Sequence, residues 1–403
     1  MKIGIITTFR ANNYGAELQA YATQQKLRNL GHDAELIDYL FYKNRKHRYS
    51  PGSQAWRKFS LKIRVKHFIL YRLALPLLDI FGNALSGTMR LRTENFKKFH
   101  AENSHTSRVY YSQKELYDAQ MDYDAYCVGS DQVWNPNTAT SIEPHFLTFA
   151  PKDKLKFSYA SSFGVSELEE SIRKRYIDGL NNLDYISCRE RQGVNLVKSL
   201  TGREAVHVLD PTLLLSGDEW RQVASYKMCP DKGKYILLYN IVELDPIYQL
   251  ALRISSETGY PIVKLCKRAL MLKSYQGVTN LPSAGPADFI GLIDNAYLFL
   301  TNSFHGFAFA VNLHTPMWAI MDSEQKNNSR LESIASVLKL QNRLLDSRID
   351  LHSLNYKEKV DFEVVCKRLE VEKQKSMTYI ESVLNQSLVV KKLNDYSMEL
   401  VLV

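Results

Sequence analysis

The sequence has few cysteines, and none stands in a pattern that binds a metal or builds a disulfide framework. Five cysteines are spread over 403 residues, tens of positions apart, with no C-x-x-C pair. No group of cysteine and histidine residues has the spacing of a zinc site. We therefore expect reduced thiols in a cytoplasmic protein that holds no metal and no resident cofactor.

Long hydrophobic runs and a targeting signal are also missing. The longest apolar stretch, "HFILYRLALPLLDIFGNAL" at 67–85, is interrupted by Arg72, Pro76 and Asp79. It falls short of the ~20 uninterrupted apolar residues that cross a bilayer. The first residues, "MKIGIITTFR", are typical of a strand and lack the pattern of a signal peptide. These features predict a cytoplasmic chain that could be peripheral on the inner face of a membrane.

Acidic residues are scarce in one segment of this basic protein. The formal net charge is +9, and residues 43–98 contain 14 Lys and Arg against two acids. Basic residues beside apolar ones suit an anionic membrane surface. The alternative is a basic insertion whose apolar residues pack on the main domain. No nucleic-acid-binding motif accompanies the charge, so nucleic acid is not expected as a partner.

Outside that segment, short apolar strands alternate with amphipathic helices, as in β-α-β units. The pattern predicts an α/β protein with two Rossmann-like, doubly wound halves that meet near residues 211–232. We expect an N-terminal domain over 1–215, with a basic helical insertion at about 43–108, and a C-terminal domain over 216–403. The last helix is a candidate to pack back on the first domain.

Ligands of such sheets bind at the carboxyl ends of the strands, so polar residues at strand ends are candidate site residues. No G-x-S-x-G, phosphate-loop or H-E-x-x-H motif is present. The strand-end candidates of the first half are Asn12, Asn13, Tyr14, Ser130, Asp131, Gln132, Trp134, Asn135 and Arg189. Several of these residues have an alternative explanation: an ordinary β-α turn, or, for Trp134, a side chain that closes the domain edge.

The second half has its strand-end candidates in "TNSFHG" and in the segment after the next strand. His305 begins a helix directly after Asn302 and Ser303, a better position for anion binding or proton transfer than a core histidine has. Lys326 and Arg330 follow in the sequence, and each taken alone is typical of a surface cation.

Several blocks of the chain together resemble the polysaccharide pyruvyl transferases. They include "NNYGAELQAYATQQKLRNLGHDAELIDY", "YDAYCVGSDQVWNPNT", "ISCRERQGV", "VLDPTLLL" and "NAYLFLTNSFHGFAFAVN". The resemblance reaches residue 345 and omits the basic insertion. It implies a glycosyltransferase-B-like fold and an enzyme that moves pyruvate from phosphoenolpyruvate, its co-substrate, onto two sugar hydroxyls as a cyclic ketal. The acceptor it implies is a lipid-diphosphate-linked sugar in exopolysaccharide or capsule biosynthesis.

The resemblance also implies roles for the strand-end residues. His305 would bind phosphate and donate a proton, and Asp131 would be the base or orient a hydroxyl. The donor side would be formed by Arg189, Asn302, Ser303, His305, Lys326 and Arg330. The acceptor side would be formed by Asn12, Asn13, Tyr14, Ser130, Asp131, Gln132, Trp134 and Asn135, with the Trp134 indole against the sugar ring.

One departure from the family leaves alternatives open. Some relatives have an Arg where Ser303 stands, so a phosphoenolpyruvate-binding cation is absent from that position. Lys326, Arg330 or the basic "KLCKR" at 264–268 would have to supply the charge. A glycosyltransferase that uses a nucleotide sugar, and a non-catalytic assembly protein at the membrane, remain the two other hypotheses.

Overall fold

The structure is a computed structural model that describes residues 1–40, 87–138, 142–266, 275–322, 328–348 and 354–401, with Val65, Ile69 and Leu77 as single positions. Its strands are β1 (Lys2–Ile6), β2 (Asp33–Leu36), β3 (Ala125–Val128), β4 (Leu155–Ser158), β5 (Ser187–Cys188), β6 (Val206–His207), β7 (Ile236–Tyr239), β8 (Ile262–Leu265), β9 (Val278–Leu281), β10 (Leu298–Thr301), β11 (Met317–Met321) and β12 (Leu344–Asp346). Its α-helices are α1 (Tyr14–Asn29), α2 (Thr88–Asn103), α3 (Gln113–Tyr117), α4 (Glu170–Asn181), α5 (Arg191–Thr201), α6 (Gly217–Gln222), α7 (Asp245–Thr258), α8 (Pro286–Asp294), α9 (Phe304–Leu313), α10 (Ser329–Leu338) and α11 (Phe362–Val401).

The first half of the chain forms a parallel sheet with strand order β2-β1-β3-β4, extended by the parallel pair β5-β6. Its central strands are uniformly apolar: "IGII" in β1 and "AYCV" in β3 are completely buried. Such runs are typical of parallel strands covered on both faces. Helix α1 begins where the Asn13 side chain accepts a hydrogen bond from the Ala16 amide, and the chain turns after it at Gly31, whose φ is +83°.

The second half forms a six-stranded parallel sheet with order β12-β11-β10-β7-β8-β9. Helix α9 follows β10, and all of its residues are buried; apart from His305 and Asn312 they are apolar, as expected of a helix covered on all sides. Two short strands, β9 and β12, were not predicted from the sequence. The α/β prediction of two Rossmann-like domains in the glycosyltransferase-B arrangement is confirmed by the two parallel sheets with their covering helices.

The two halves share a continuous apolar interface. The Tyr14 ring of α1 stacks on Phe289 of α8 at 4.6 Å between centroids, and Tyr21 contacts Trp220. Helix α2, which lies within the predicted insertion, also touches both halves. Its Arg92 is buried and donates hydrogen bonds to the Tyr14 hydroxyl and to the carbonyls of Asn12 and Ala284.

Helix α11 follows the second sheet in sequence but contacts the first. The Tyr379 hydroxyl donates a hydrogen bond to the carbonyl of Ser158 in β4, and the Ser376 hydroxyl accepts one from the amide of Leu209. The apolar face of α11, including Val365, Leu369, Ile380 and others, belongs to the core shared by the two halves. The chain therefore passes between the halves a second time at this helix.

The predicted membrane-binding segment at 43–98 lies, apart from α2 and single positions, outside the described residues. Within the described residues, no helix is both long and apolar enough to cross a bilayer.

Candidate active site

A polar cluster lies where the carboxyl ends of the first-half strands face the start of α9 and α10. Asp131 follows β3, Arg189 follows β5 and Asp210 follows β6. His305 and Arg330, from the second half, complete the cluster. The facing strand ends of two parallel sheets are the expected place for a ligand.

Arg189 is the centre of this cluster. Its side chain has no exposure to solvent, and its guanidinium donates to Asp210 at 2.7 Å and to Asp131 at 3.1 Å. Glu190 lies 3.9 Å from its Nε, and the Phe304 ring lies under its face at 5.0 Å. Burial acts to lower the Arg189 pKa, but the three carboxylates outweigh it and raise the pKa. Arg189 is thus a permanent cation that organises the carboxylates.

The pKa values of the carboxyl groups in the cluster are shifted in different directions. Burial opposes ionisation of Asp210, but Arg189 and His305 outweigh it and lower its pKa to about 2. Burial likewise opposes ionisation of Asp131, and Arg189 with His305 and Arg330 lowers its pKa. For Glu190, burial dominates and raises the pKa. Asp131 and Asp210 are therefore carboxylates at neutral pH, and of the two only Asp131 is partly exposed.

His305 contributes a buried imidazole with an unused nitrogen. Its Nε2 lies 3.8 Å from the Asp210 carboxylate, too far for a hydrogen bond, and has no hydrogen-bond partner among the described residues. The ring packs directly on Gly15 of α1, where a Cβ would lie 2.1 Å from Nδ1. Burial lowers the His305 pKa to about 4, against the opposing effect of Asp210. The free protein therefore holds this imidazole neutral at physiological pH.

Arg330 is the second cation of the cluster, and it differs from Arg189. No hydrogen bond from its guanidinium to another described residue is present, and its Nε is buried without a partner. Burial and the neighbouring Arg189 lower its pKa to about 10, so it remains charged at neutral pH. A desolvated cation that lacks a bonded carboxylate is suited to bind an anionic ligand.

The turn before α9 fixes the position of His305. The Ser303 hydroxyl caps the helix by accepting a hydrogen bond from the Gly306 amide, and Thr301 accepts one from the Ser303 amide. The amides of Phe304 and His305 make no hydrogen bond to a described residue, as expected in a first turn. Asn302 points elsewhere: its amide bonds the backbone of Ile241 and Val242. Ser303 and Asn302 thus shape the turn.

Two predicted acceptor contacts are wrong in this structure. The Trp134 indole is completely buried between Phe146 and Phe163, and its Nε1 donates to the His145 carbonyl. It cannot offer a face to a sugar ring, because both faces are already packed. Tyr14 is also completely buried, with its hydroxyl bonded to the Ala284 carbonyl at the contact between the halves.

The other predicted acceptor residues lie around the same edge, with different degrees of freedom. The Ser130 hydroxyl is buried and donates to Asp210. Gln132 accepts from Asn135, and the Gln132 amide nitrogen is buried without a partner among the described residues. Asn13 is exposed as the cap of α1, while Asn12 bonds Thr93 of α2. Lys326 lies outside the described residues, so its predicted role stays a prediction.

The structure adds Asp210 and Glu190 to the set that sequence reasoning proposed. Asp210 ends the "VLDP" block, where it follows β6 just as Asp131 follows β3, and that shared position is the signal that could have found it. Glu190 is the residue next to Arg189, and it accepts a hydrogen bond from the Phe163 amide. Among the described residues, no group of three metal-ligating side chains comes together.

The two parallel sheets and the polar cluster between their strand ends define a two-domain α/β protein of the glycosyltransferase-B type. The sequence model of the polysaccharide pyruvyl transferase family matches residues 13–324. The chain belongs to this family, and it is therefore a transferase. The matched range contains every residue of the cluster except Arg330. No curated protein matches the chain significantly in sequence.

Solved structures with a related chain path have very different sequences. UDP-GlcNAc 2-epimerase from Neisseria meningitidis bound to UDP-GlcNAc is 11% identical, with 96% of this chain and 100% of that chain covered and a TM-score of 0.47. The ADP-heptose LPS heptosyltransferase II of E. coli is 13% identical, with coverages of 93% and 100% and a TM-score of 0.36. An alpha-glucosyltransferase in complex with UDP and DNA is 9% identical, with both coverages at 98% and a TM-score of 0.48.

Proposed function

We propose that this protein transfers pyruvate from phosphoenolpyruvate onto two hydroxyls of a sugar, as a cyclic ketal. One observation carries the proposal: His305 and Arg330 of the second half have buried polar atoms without partners and lie within electrostatic range of Asp131, Arg189 and Asp210 of the first. The family of the chain supports a pyruvyl donor for this site.

The charges of the cluster suit a donor that carries a carboxylate and a phosphate. Arg330 can pair with one anionic group of the donor, and the free backbone amides at the start of α9 can donate hydrogen bonds to the other. Arg189 is already bonded to two carboxylates, so it contributes by its field more than by free donors. A bound phosphate next to His305 raises the pKa of the imidazole, because an opposite charge favours the protonated form. Binding of the donor thereby protonates His305, which holds the proton that the reaction uses.

The reaction needs one proton delivered to carbon and two hydroxyl protons removed. The first sugar hydroxyl attacks C2 of phosphoenolpyruvate, and the double-bond electrons take the proton of His305 at C3, which becomes a methyl group. The Asp131 carboxylate is partly exposed and ionised, and it accepts or orients the hydroxyl proton. The second hydroxyl then attacks C2, and the C2–O bond to phosphate breaks. The proton of this second hydroxyl leaves with the phosphate.

We further propose that the acceptor sugar is carried on a lipid diphosphate at an anionic membrane surface. The basic composition of residues 43–98 supports this. Binding to anionic vesicles should weaken with added salt, because exposed charges are screened over ~10 Å at ordinary ionic strength. Equal binding to anionic and neutral vesicles, or none to either, would rule out recognition of an anionic surface by this segment and leave the transferase proposal untouched.

Thermal-shift titration is the test of the donor. A ligand that binds only the folded state raises the unfolding temperature, so phosphoenolpyruvate should do so and UDP-linked sugars should not. Release of phosphate from phosphoenolpyruvate in the presence of a sugar acceptor should continue when a chelator is added. Stabilisation by nucleotide sugars alone would instead indicate a glycosyltransferase, and no response to either ligand would favour a non-catalytic protein.

Substitutions at the cluster extend this test. His305→Ala removes both the phosphate ligand and the proton donor and should lower kcat/KM by ~10²-fold or more. Glu102→Ala, on an exposed face of α2, is the control and should leave kcat/KM unchanged. A folded His305→Ala protein with near-normal pyruvyl transfer would refute the assignment of His305.

A further inference from the structure

A second buried polar cluster lies on the other side of the first turn of α1. It is formed by Arg10 after β1, Glu17 of α1, Asp38 after β2 and His100 of α2. Gly15 and Glu17 belong to the same turn; Gly15 touches His305, and Glu17 touches His100. None of these four residues takes part in the cluster around Arg189.

Glu17 and His100 form an oriented pair. The Glu17 carboxylate lies 2.6 Å from His100 Nδ1, and both side chains are buried. This contact places the ring proton on Nδ1 and leaves Nε2 as an acceptor, in the way that a carboxylate orients a catalytic or metal-binding histidine. Nε2 is buried and has no hydrogen-bond partner among the described residues.

Asp38 supplies a second unused atom beside it. Its side chain is 1% exposed, and its Oδ2 lies 2.6 Å from Nη2 of Arg10. Its Oδ1 has no hydrogen-bond partner among the described residues. Burial raises the Asp38 pKa, and Arg10 and then His100 act against that rise, which places the imidazole within the electrostatic range of the carboxylate.

Two buried polar atoms without partners are costly to a folded protein unless something binds them. A purely structural role would be served better by apolar side chains of the same volume. One carboxylate oxygen and one imidazole nitrogen are two acceptors, and they match the two hydroxyls of a diol, each of which donates one hydrogen bond. Arg10 is the partly exposed member, so a ligand reaches the cluster from its side.

We propose that Asp38 and His100 form a binding subsite for the diol of the acceptor sugar. This inference rests on the proposed pyruvyl transfer and specifies where the acceptor is held. Asp38 follows β2 and Asp131 follows β3, and these strands are separated only by β1, so the two strand ends lie about 10 Å apart along one sheet edge. That spacing places a sugar held at Asp38 next to the donor cluster.

A pair of substitutions at His100 separates binding from structure. His100→Asn keeps an amide nitrogen where Nδ1 bonds Glu17 but removes the Nε2 position. His100→Gln keeps a polar atom near the Nε2 position instead. Glu102→Ala on the same helix is the matched control, because its side chain is exposed and lies outside the basic segment 43–98. Methyl β-galactopyranoside and methyl α-glucopyranoside are the probes, with binding followed by saturation-transfer NMR and folding by denaturant unfolding.

We expect at least one glycoside to bind the native protein and the Glu102→Ala variant equally. His100→Asn should weaken that binding by ~10-fold or more, the loss expected when a buried partner is left unpaired, and His100→Gln should weaken it less. Unchanged binding by His100→Asn, or binding of neither glycoside to the native protein, would overturn the subsite. A thermal shift with phosphoenolpyruvate, measured on the same samples, tests the donor separately, so failure of the subsite and failure of the pyruvyl transferase proposal are told apart.

Discussion

The contact between Gly15 and His305 makes a quantitative prediction about the join of the two halves. A Cβ at position 15 would lie 2.1 Å from Nδ1 and 2.6 Å from both Cγ and Cε1 of the imidazole. These are not distances that a rotamer change of a flexible side-chain end can relieve, because the whole ring lies over the position. Gly15→Ala must therefore displace the imidazole or move α1 away from α9.

The size of the effect follows from two opposing contributions. Forcing a methyl group into a packed site costs about 1–3 kcal/mol of unfolding free energy. Replacing a helical glycine by alanine returns about 0.5–1 kcal/mol. We expect Gly15→Ala to destabilise the native protein by about 1–2 kcal/mol. In a His305→Ala background the ring is gone, and the same substitution should stabilise by about 0.5–1 kcal/mol.

Denaturant unfolding of the native protein, the two single variants and the double variant measures this coupling. An interaction free energy of about 1–3 kcal/mol between positions 15 and 305 is the expected result. Additive effects of the two substitutions would refute the packing of His305 on α1, and with it the closed arrangement of the site. A second readout is the phosphoenolpyruvate-dependent activity, which Gly15→Ala should lower because it moves the imidazole relative to Asp210.

Three further predictions concern the buried polar and aromatic groups. The pKa of His305 is about 4 in the folded protein and near 6.5 in the unfolded protein, so the unfolded state binds more protons between these pH values. The free energy of unfolding should therefore rise by up to ~3 kcal/mol from pH 4 to pH 6.5. His305→Gln should flatten that rise, and an unchanged slope would contradict the buried neutral imidazole. Asp210→Asn removes one partner of a buried pair with Arg189 and should cost about 3–5 kcal/mol of unfolding free energy, whereas a loss below 1 kcal/mol would show that water reaches the pair. Trp134→Phe should lower the free energy of unfolding by about 1–3 kcal/mol without changing the thermal shift caused by phosphoenolpyruvate. A selective loss of sugar binding in a fully stable variant would restore the hypothesis that the indole packs against the sugar ring.

Most of the site prediction came from one rule, that ligands of parallel sheets bind at the carboxyl ends of the strands. It selected Asp131, Arg189, His305 and Arg330, because position in a parallel sheet follows from the alternation of apolar strands and amphipathic helices. The structure brings these four residues into one cluster. The rule applied equally to Asp210, which the sequence interpretation passed over because "VLDP" resembles an ordinary strand-to-turn sequence.

Burial could not be predicted from these local patterns. Trp134 follows a strand and precedes Asn-Pro, a position typical of an exposed platform, but Phe146 and Phe163 cover its indole ring. Arg189 was expected on the donor side of the site, but its guanidinium is already bonded to the carboxylates of Asp131 and Asp210. Both outcomes depend on tertiary contacts that no window of sequence contains.

The second crossing of the chain, at α11, limits how the cleft between the halves can move. The halves are joined covalently near Pro211–Leu213 and again through α11, which leaves the second sheet and is held on the first by Ser376 and Tyr379. Two separated attachment points define a single line, and rigid bodies joined at both can rotate only about that line. Any opening of the cleft must therefore be a rotation about that one axis, with the strand ends that carry Asp131 and His305 moving apart and the edge nearest α11 staying in place.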